Sequence, residues 1–134
     1  MANALVVFLG RDQVDTNQAA WYWPLLHPEF VHCFLIVESR KHLFKIGAAR
    51  GIPTITLMQT LAFADLQAYY QSMNAHVVVT ETVEQYSFPL VLRTCVGLVK
   101  SFLGINSLAI TPYQLFRSLN KLSRSLHDRR CKVH

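Results

Sequence analysis

Apolar residues in this chain come in runs too short to cross a bilayer and well sized for strands. Ala4–Leu9, Phe30–Glu38, His42–Ala48, Thr54–Met58 and Ala75–Thr82 are rich in Val, Ile, Leu and Phe, and each is bounded by turn-forming or polar residues. Segments of this length and composition read as strands. Gly10 closes the first, and Ser39 to Lys41 forms the turn that folds the second and third into a hairpin. Gly51 and Pro53 punctuate the chain before the fourth. The longest apolar stretch, around Pro89–Leu92 and Val96–Leu103, is interrupted by Arg93 and Lys100. A membrane-spanning helix needs about 20 mostly apolar residues, so none is expected.

Between the strands the periodicity changes. Phe63, Leu66, Tyr69, Tyr70 and Met73 recur at three- and four-residue spacing, the mark of an amphipathic helix. Cys95, Leu98, Val99 and Phe102 repeat the pattern, with Gly104 as the stop signal. Thr111-Pro-Tyr-Gln114 places a hydroxyl at the N-cap, proline at the first helical position and Gln at the third, a capping box that opens a helix running to about His127. Arg11–Ala20 reads as a loop with a short helical turn, and Pro24 and Pro28 bar a regular helix between them. The expected fold is α+β: one domain over residues 1–134, with a small antiparallel sheet covered by the helix that begins at Cys95 and flanked by the Thr111 helix.

Only 16% of the 134 residues are charged and 51% are hydrophobic, against about 25% charged in an average soluble protein. That excludes intrinsic disorder and implies further buried surface, against a partner or a second copy. Of the formal charge of +5, all lies between Arg117 and His134, where Arg117, Lys121, Arg124, Arg129, Arg130 and Lys132 face a single Asp128. A basic end of this kind is either a solvated face or a contact for nucleic acid or an acidic protein. No aromatic residue follows Phe116 to stack on bases, which disfavours sequence-specific reading. Cys33, Cys95 and Cys131 cannot all pair within one chain and form no Cys-x-x-Cys, so a reducing compartment is expected and a metal site is not. Met1–Gly10 lacks the basic leader and cleavage site of a signal peptide.

No phosphate loop, dinucleotide fingerprint or Gly-x-Ser-x-Gly elbow is present, and no cofactor is expected. Two features could carry chemistry. A thiol at Cys95 would lie in the first turn of its helix, where unpaired N–H groups and the positive helix end favour thiolate. Gly97, one turn in, leaves room for a substrate, and the Cys95 N–H is a candidate oxyanion donor. The competing reading is a small core residue. His32 opens a strand on the same alternation parity as Phe34 and Ile36. An imidazole facing a helix-start thiol is the minimum pair for cysteine nucleophilic catalysis, while a histidine alone on an apolar face is usually a packed core residue. Cys33 alternates to the opposite face and reads as packing. Tyr69 and Tyr70 read as a helix packing face, and Trp21 and Trp23 as caps on the core or an interface. His76 has no evident partner.

The order of His32 on a strand, a hairpin return, then Cys95 opening a helix resembles the circularly permuted papain-like superfamily, which includes permuted relatives of the NlpC-type cell-wall peptidases and the lecithin:retinol acyltransferase-like proteins. Cys95-Val-Gly-Leu-Val99 is similar to the Cys-Ser-Gly-Phe/Leu-Val of those enzymes, with Val96 in place of serine. Trp23, Leu26, Pro28, Phe30, His32 and Cys33, with Cys95, Val96, Val99, Lys100, Leu103 to Ile105 and Thr111 to Leu115, also resemble a pattern in small bacteriophage proteins. The resemblance spans about residues 21–119. It implies Cys95 as nucleophile, His32 as general base, and a third polar residue that orients the imidazole. Its expected position, about 12 residues beyond the base, falls at Phe44. His42 and Lys45 are nearby but in doubtful register, Glu38 stands at the far end of the same strand, and Gln59 is a weaker candidate from the next strand.

Two functions follow as expectations. One is a phage-encoded cysteine hydrolase of amide bonds, with peptidoglycan peptides as a candidate substrate. The other is a non-catalytic virion component or adaptor that uses the same fold for packing, associating with itself or other virion proteins and touching DNA or a neighbouring subunit through its basic end. Either would place the chain in a virion or the host cytoplasm.

Overall fold

The computed structural model describes residues 3–14, 25–49, 52–58, 62–82, 94–105 and 107–131, with Ala49 and residues 125–131 described by backbone alone. Five strands, β1 (Asn3–Leu9), β2 (His32–Ser39), β3 (His42–Ala49), β4 (Ile52–Met58) and β5 (His76–Glu81), form one antiparallel sheet in the order β4-β3-β2-β1-β5. Helix α1 (Phe63–Ser72) lies on one face; α2 (Cys95–Leu103) and α3 (Pro112–Cys131) lie on the other. The expected α+β class and the three helices are observed. Among the described residues no helix is long and apolar enough to cross a membrane.

Helices on both faces explain why β1 and β2 read as continuous apolar runs rather than alternating ones. Ala4, Val6 and Phe8 pack with Cys33, Leu35 and Val37 under α2 and α3, against Val96, Val99, Leu103, Leu115 and Leu119. Leu5, Val7, Phe34 and Ile36 face the other way, onto Leu66 and Tyr70 of α1. Burying a side chain of this size contributes about 1.5–3 kcal/mol. The central strands, apolar on both faces, therefore dominate the stability of the sheet.

Local signals explain the element ends. The β2–β3 turn is two residues long, with Arg40 and Lys41 at φ 49° and 69°, the twist a tight hairpin requires. Thr94 caps α2 by accepting from the Gly97 N–H at 3.0 Å, and Gly104 ends it in the left-handed region at φ 63°. The Thr111 capping box is present in both directions: the Gln114 N–H donates to Thr111 Oγ1 at 3.3 Å, and the Thr111 N–H donates to Gln114 Oε1 at 3.3 Å. A short 3₁₀ turn covers Arg11–Gln13.

Several expectations need correction. Phe30 and Val31 precede β2, because the Phe30 N–H is turned back onto the His27 carbonyl. Pro53 lies inside β4 rather than before it, a position an edge strand tolerates. Helix α3 continues past His127 to Cys131. The buried stripe of α2 is shifted onto Val96, Leu98, Val99 and Leu103, leaving Cys95 and Phe102 half-buried. Tyr70 packs as expected, but Tyr69 is exposed. Trp21 and Trp23 lie outside the described residues.

Candidate functional site

The two-residue turn makes Ser39 and His42 a hydrogen-bonded rung, so the rungs alternate through Val37–Phe44 to Leu35–Ile46, where the pairing of β2 with β3 stops. The same alternation turns the Cys33 N–H toward the β3 side, beyond the last rung that the two strands share. Helix α2 packs on the Cys33 face, with Val96 and Cys95 in the same cluster as Cys33 and Ala48. Cys33 and His32 are the neighbours that bear on the ionisation of Cys95.

These partners decide which sulfur ionises. The Cys95 thiol is held well below the usual thiol value, first by the hydrogen bond from Cys33, against the opposing effect of its own burial, and then by the hydrogen bond and charge of His32. Cys33 is pushed well above the usual value, by complete burial and then by its neighbour. The two thiols therefore behave as one unit that loses its first proton from Cys95. A thiolate at the first turn of a helix is also favoured by the helix dipole.

His32 thus bears on the ionisation of Cys95, although strand parity and the face of α2 differ. Parity sends His32 toward Phe34, whose ring lies 6.4 Å from the imidazole, and toward the α1 face. Cys95 rides on the opposite face, which is the face of Cys33. His32 is the first residue of β2, beyond the last rung that β2 shares with β3. The expectation that Cys33 merely packs is corrected: it is buried, and it is the largest single influence on Cys95.

The candidate orienting residues are not gathered here. Glu38 lies six residues along β2 from His32, about 20 Å at 3.3 Å per residue, and His42 pairs with Ser39 at the same far end. Gln59 lies outside the described residues. Lys45 stands over the Phe34 ring, its Nζ 4.4 Å from the centroid, and partial burial lowers its pKa. Gly97 does not leave its N–H available, since Thr94 takes it; the Cys95 N–H remains the candidate oxyanion donor.

Sequence reasoning missed an aromatic shelf beside the thiols. Phe8 pairs with Cys33 on one side and with His76 on the other, so Cys33, Phe8 and His76 form one row across β2, β1 and β5. His76 stacks on Phe30 with centroids 4.6 Å apart, and its Nε2 lies 3.5 Å from Glu29 Oε2. Phe116 packs against Phe8, Phe30 and His76, while Tyr113 stacks on His27 at 4.7 Å. His76 thus has partners, all distant in sequence. The only local signal was its place at the start of a strand.

On the far side of α3, Arg117, Lys121 and Arg124 line a groove of about 690 Å³ with Ser107, Ser118 and Asn120. Lys100 holds the rim by donating to the Ser107 and Ala109 carbonyls. The side chains of Arg129 and Arg130, and Lys132 altogether, lie outside the described residues. Among the described residues no group of His, Cys, Asp and Glu could hold a metal ion. Compared with protein-family models, with curated proteins and with solved structures, the chain matches none.

Proposed function

We propose that this protein is a cysteine hydrolase acting on an amide bond, built on a permuted papain-like arrangement, with Cys95 as nucleophile and His32 as its proton carrier. One observation carries the reading: Cys95 opens α2 and packs in one cluster with Cys33, the residue next to His32, and these two neighbours favour its ionisation. In this reading the Cys95 sulfur attacks the carbonyl carbon, and the developing oxyanion is met by the Cys95 N–H. His32 gives a proton to the departing amine. A water deprotonated by His32 then cleaves the thioester and restores the thiol. Cys33 is a positioning residue here, since it acts on the sulfur and not on the substrate. The resemblance to NlpC-type enzymes makes a peptide of the bacterial cell wall the first substrate to try.

The test is the rate of Cys95 alkylation by iodoacetamide against pH, followed by peptide mass spectrometry. Wild type is expected to react well below the ordinary thiol pKa of about 8.5. His32→Ala and Cys33→Ala should each move the midpoint upward, and Cys33→Ala should move it further. A wild-type midpoint at the ordinary value, or one indifferent to His32, rejects the reading.

The groove along α3 favours a second reading, an adaptor that binds an anionic partner, because three cations at helical spacing share one cleft. Binding to random-sequence DNA that weakens steeply with salt, and is lost in Arg117→Ala/Lys121→Ala, supports it. Salt-independent or absent binding rejects it.

A further inference from the structure

The two edges of the sheet are finished differently. At one edge, β5 is flanked by α1 and α3 and carries Glu81. At the other, β4 has no strand beyond it among the described residues, and Ile52 through Leu57 are all exposed. Ile52 is 64% exposed, Ile55 67% and Leu57 46%. The strand, Ile-Pro-Thr-Ile-Thr-Leu-Met, contains no charge. Lysines and inward-pointing charges are the usual guards of a free edge, and here only a proline is present.

The register says which backbone groups the edge offers. Because Leu35–Ile46 is a hydrogen-bonded rung, the alternate residues of β3, namely Leu43, Lys45, Gly47 and Ala49, bond toward β4. Their partners are Met58, Thr56, Thr54 and Ile52. The N–H and C=O groups of Pro53, Ile55 and Leu57 therefore point outward, and Pro53 supplies only its carbonyl.

This edge is complementary to itself. In an antiparallel pairing centred on Ile55, each Ile55 exchanges two hydrogen bonds with its counterpart. Each Leu57 N–H then meets a Pro53 carbonyl, so the missing proline donor costs no pairing to an N–H. Only this register overlaps all seven residues. It sets Thr54 against Thr56 and Ile52 against Met58 on one face, and Ile55 against Ile55 and Pro53 against Leu57 on the other. Threonine pairs and paired branched apolar residues are favourable cross-strand neighbours. No charge meets a like charge. On the Ile55 face the new contact continues the apolar surface of Phe44 and Ile46 on β3.

We propose that a second copy of this chain pairs with the first along β4, antiparallel and centred on Ile55, joining two sheets into one. A pairing of two seven-residue strands is small beside the roughly 1,600 Å² of a standard interface, so the dimer forms reversibly and with concentration. The surplus of apolar surface on a chain with so few charges is then partly accounted for.

Sedimentation velocity on the full chain over a concentration series is expected to show a monomer–dimer equilibrium. Ile55→Lys should sediment as monomer throughout, with its circular dichroism unchanged because the side chain is exposed. A second measurement fixes the register. Hydrogen-bonded antiparallel partners have Cα atoms about 5.5 Å apart, inside the roughly 4.4–6.8 Å that a disulfide spans. Ile55→Cys should therefore link to itself across the dimer under mild oxidation, and Thr56→Cys, offset from its own copy, should link far more slowly. A wild type that stays monomeric at its highest soluble concentration overturns the proposal, including the case where hydrogen exchange shows the Ile55 and Leu57 amides protected by another part of the same chain. A dimer that survives Ile55→Lys, or equal linking at both positions, overturns it as well.

Discussion

At the His32 end of β2, each side chain finds its neighbours in elements far away in sequence: Cys95 from α2, Phe8 from β1, His76 from β5 and Phe116 from α3. At the Ser39 end, the neighbours of Glu38 and Ser39 are Leu43 and His42, across a turn of two residues. The first end is buried and brings together groups whose ionisation depends on one another. The second is exposed, and it is determined almost wholly by backbone geometry. A site with unusual chemistry arises where local geometry stops deciding and packing between distant elements takes over.

The largest expected effect lies at the packed end. Phe8 is fully buried and meets Phe30 and Phe116 edge-on, with centroids 5.9 and 5.3 Å apart. Phe8→Ala removes the middle of the row between Cys33 and His76. Large-to-small changes of this kind cost about 3–5 kcal/mol, a large part of the stability of a domain this size. The urea midpoint should fall sharply. A shift no larger than that of an exposed-site variant would break the contrast between the two ends.

How much of this was legible in the sequence follows the same division. The hairpin, the Thr111 capping box, the Gly104 stop and the strand character of β1, β2 and β5 are set within a few residues, and each could be read directly. The association of His32 with Cys95 was read from a strand-start imidazole and a helix-start thiol, and the resemblance supplied their roles. The β2–β3 rungs stop at Leu35–Ile46, so His32 keeps only its β1 partner, Leu9. Parity groups His32 with Phe34 and Ile36, on the face that the Cys95 helix was expected to cover, whereas α2 covers the opposite face, that of Cys33. Cys33 was misread for the same reason: alternation placed it correctly on the far face from His32, but nothing local says that the Cys95 helix covers that face. Pro53 was read as a break because proline lacks a donor, and the structure puts that missing donor on the one side of β4 that has no partner.

A smaller effect tests the hairpin end. Lys41 sits at φ 69°, where an L-residue is strained by roughly 1–2 kcal/mol. Glycine relieves the strain but adds freedom to the unfolded chain. Lys41→Gly is therefore expected to stabilise the protein by about 0.5 kcal/mol, seen as a slightly raised thermal midpoint, with the alkylation profile of Cys95 unchanged. A destabilised Lys41→Gly would mean that the Lys41 side chain, and not the turn alone, holds this end together.

The smallest expected effect bears most directly on the catalytic reading. Glu38 and His42 are the polar residues that a search for a third catalytic member would choose, yet both lie at the turn end of the sheet, away from the imidazole they would need to orient. Hydrogen bonding requires contact within about 3 Å, and interactions between exposed charges fade over a Debye length of about 8–10 Å. Neither effect reaches across the length of β2. Glu38→Ala and His42→Ala should each change stability by no more than about 0.5 kcal/mol and leave the pH midpoint of Cys95 where it is. The His32→Ala and Cys33→Ala profiles set the scale against which that constancy is judged. If either turn-end variant moves the midpoint as His32→Ala does, the two ends are linked through the sheet and Cys95 answers to more than its immediate neighbours. If neither does, the ionisation of Cys95 belongs to the His32–Cys33–Cys95 group itself, with the Cys33 thiol occupying the place on the sulfur where other arrangements would rely on the imidazole alone.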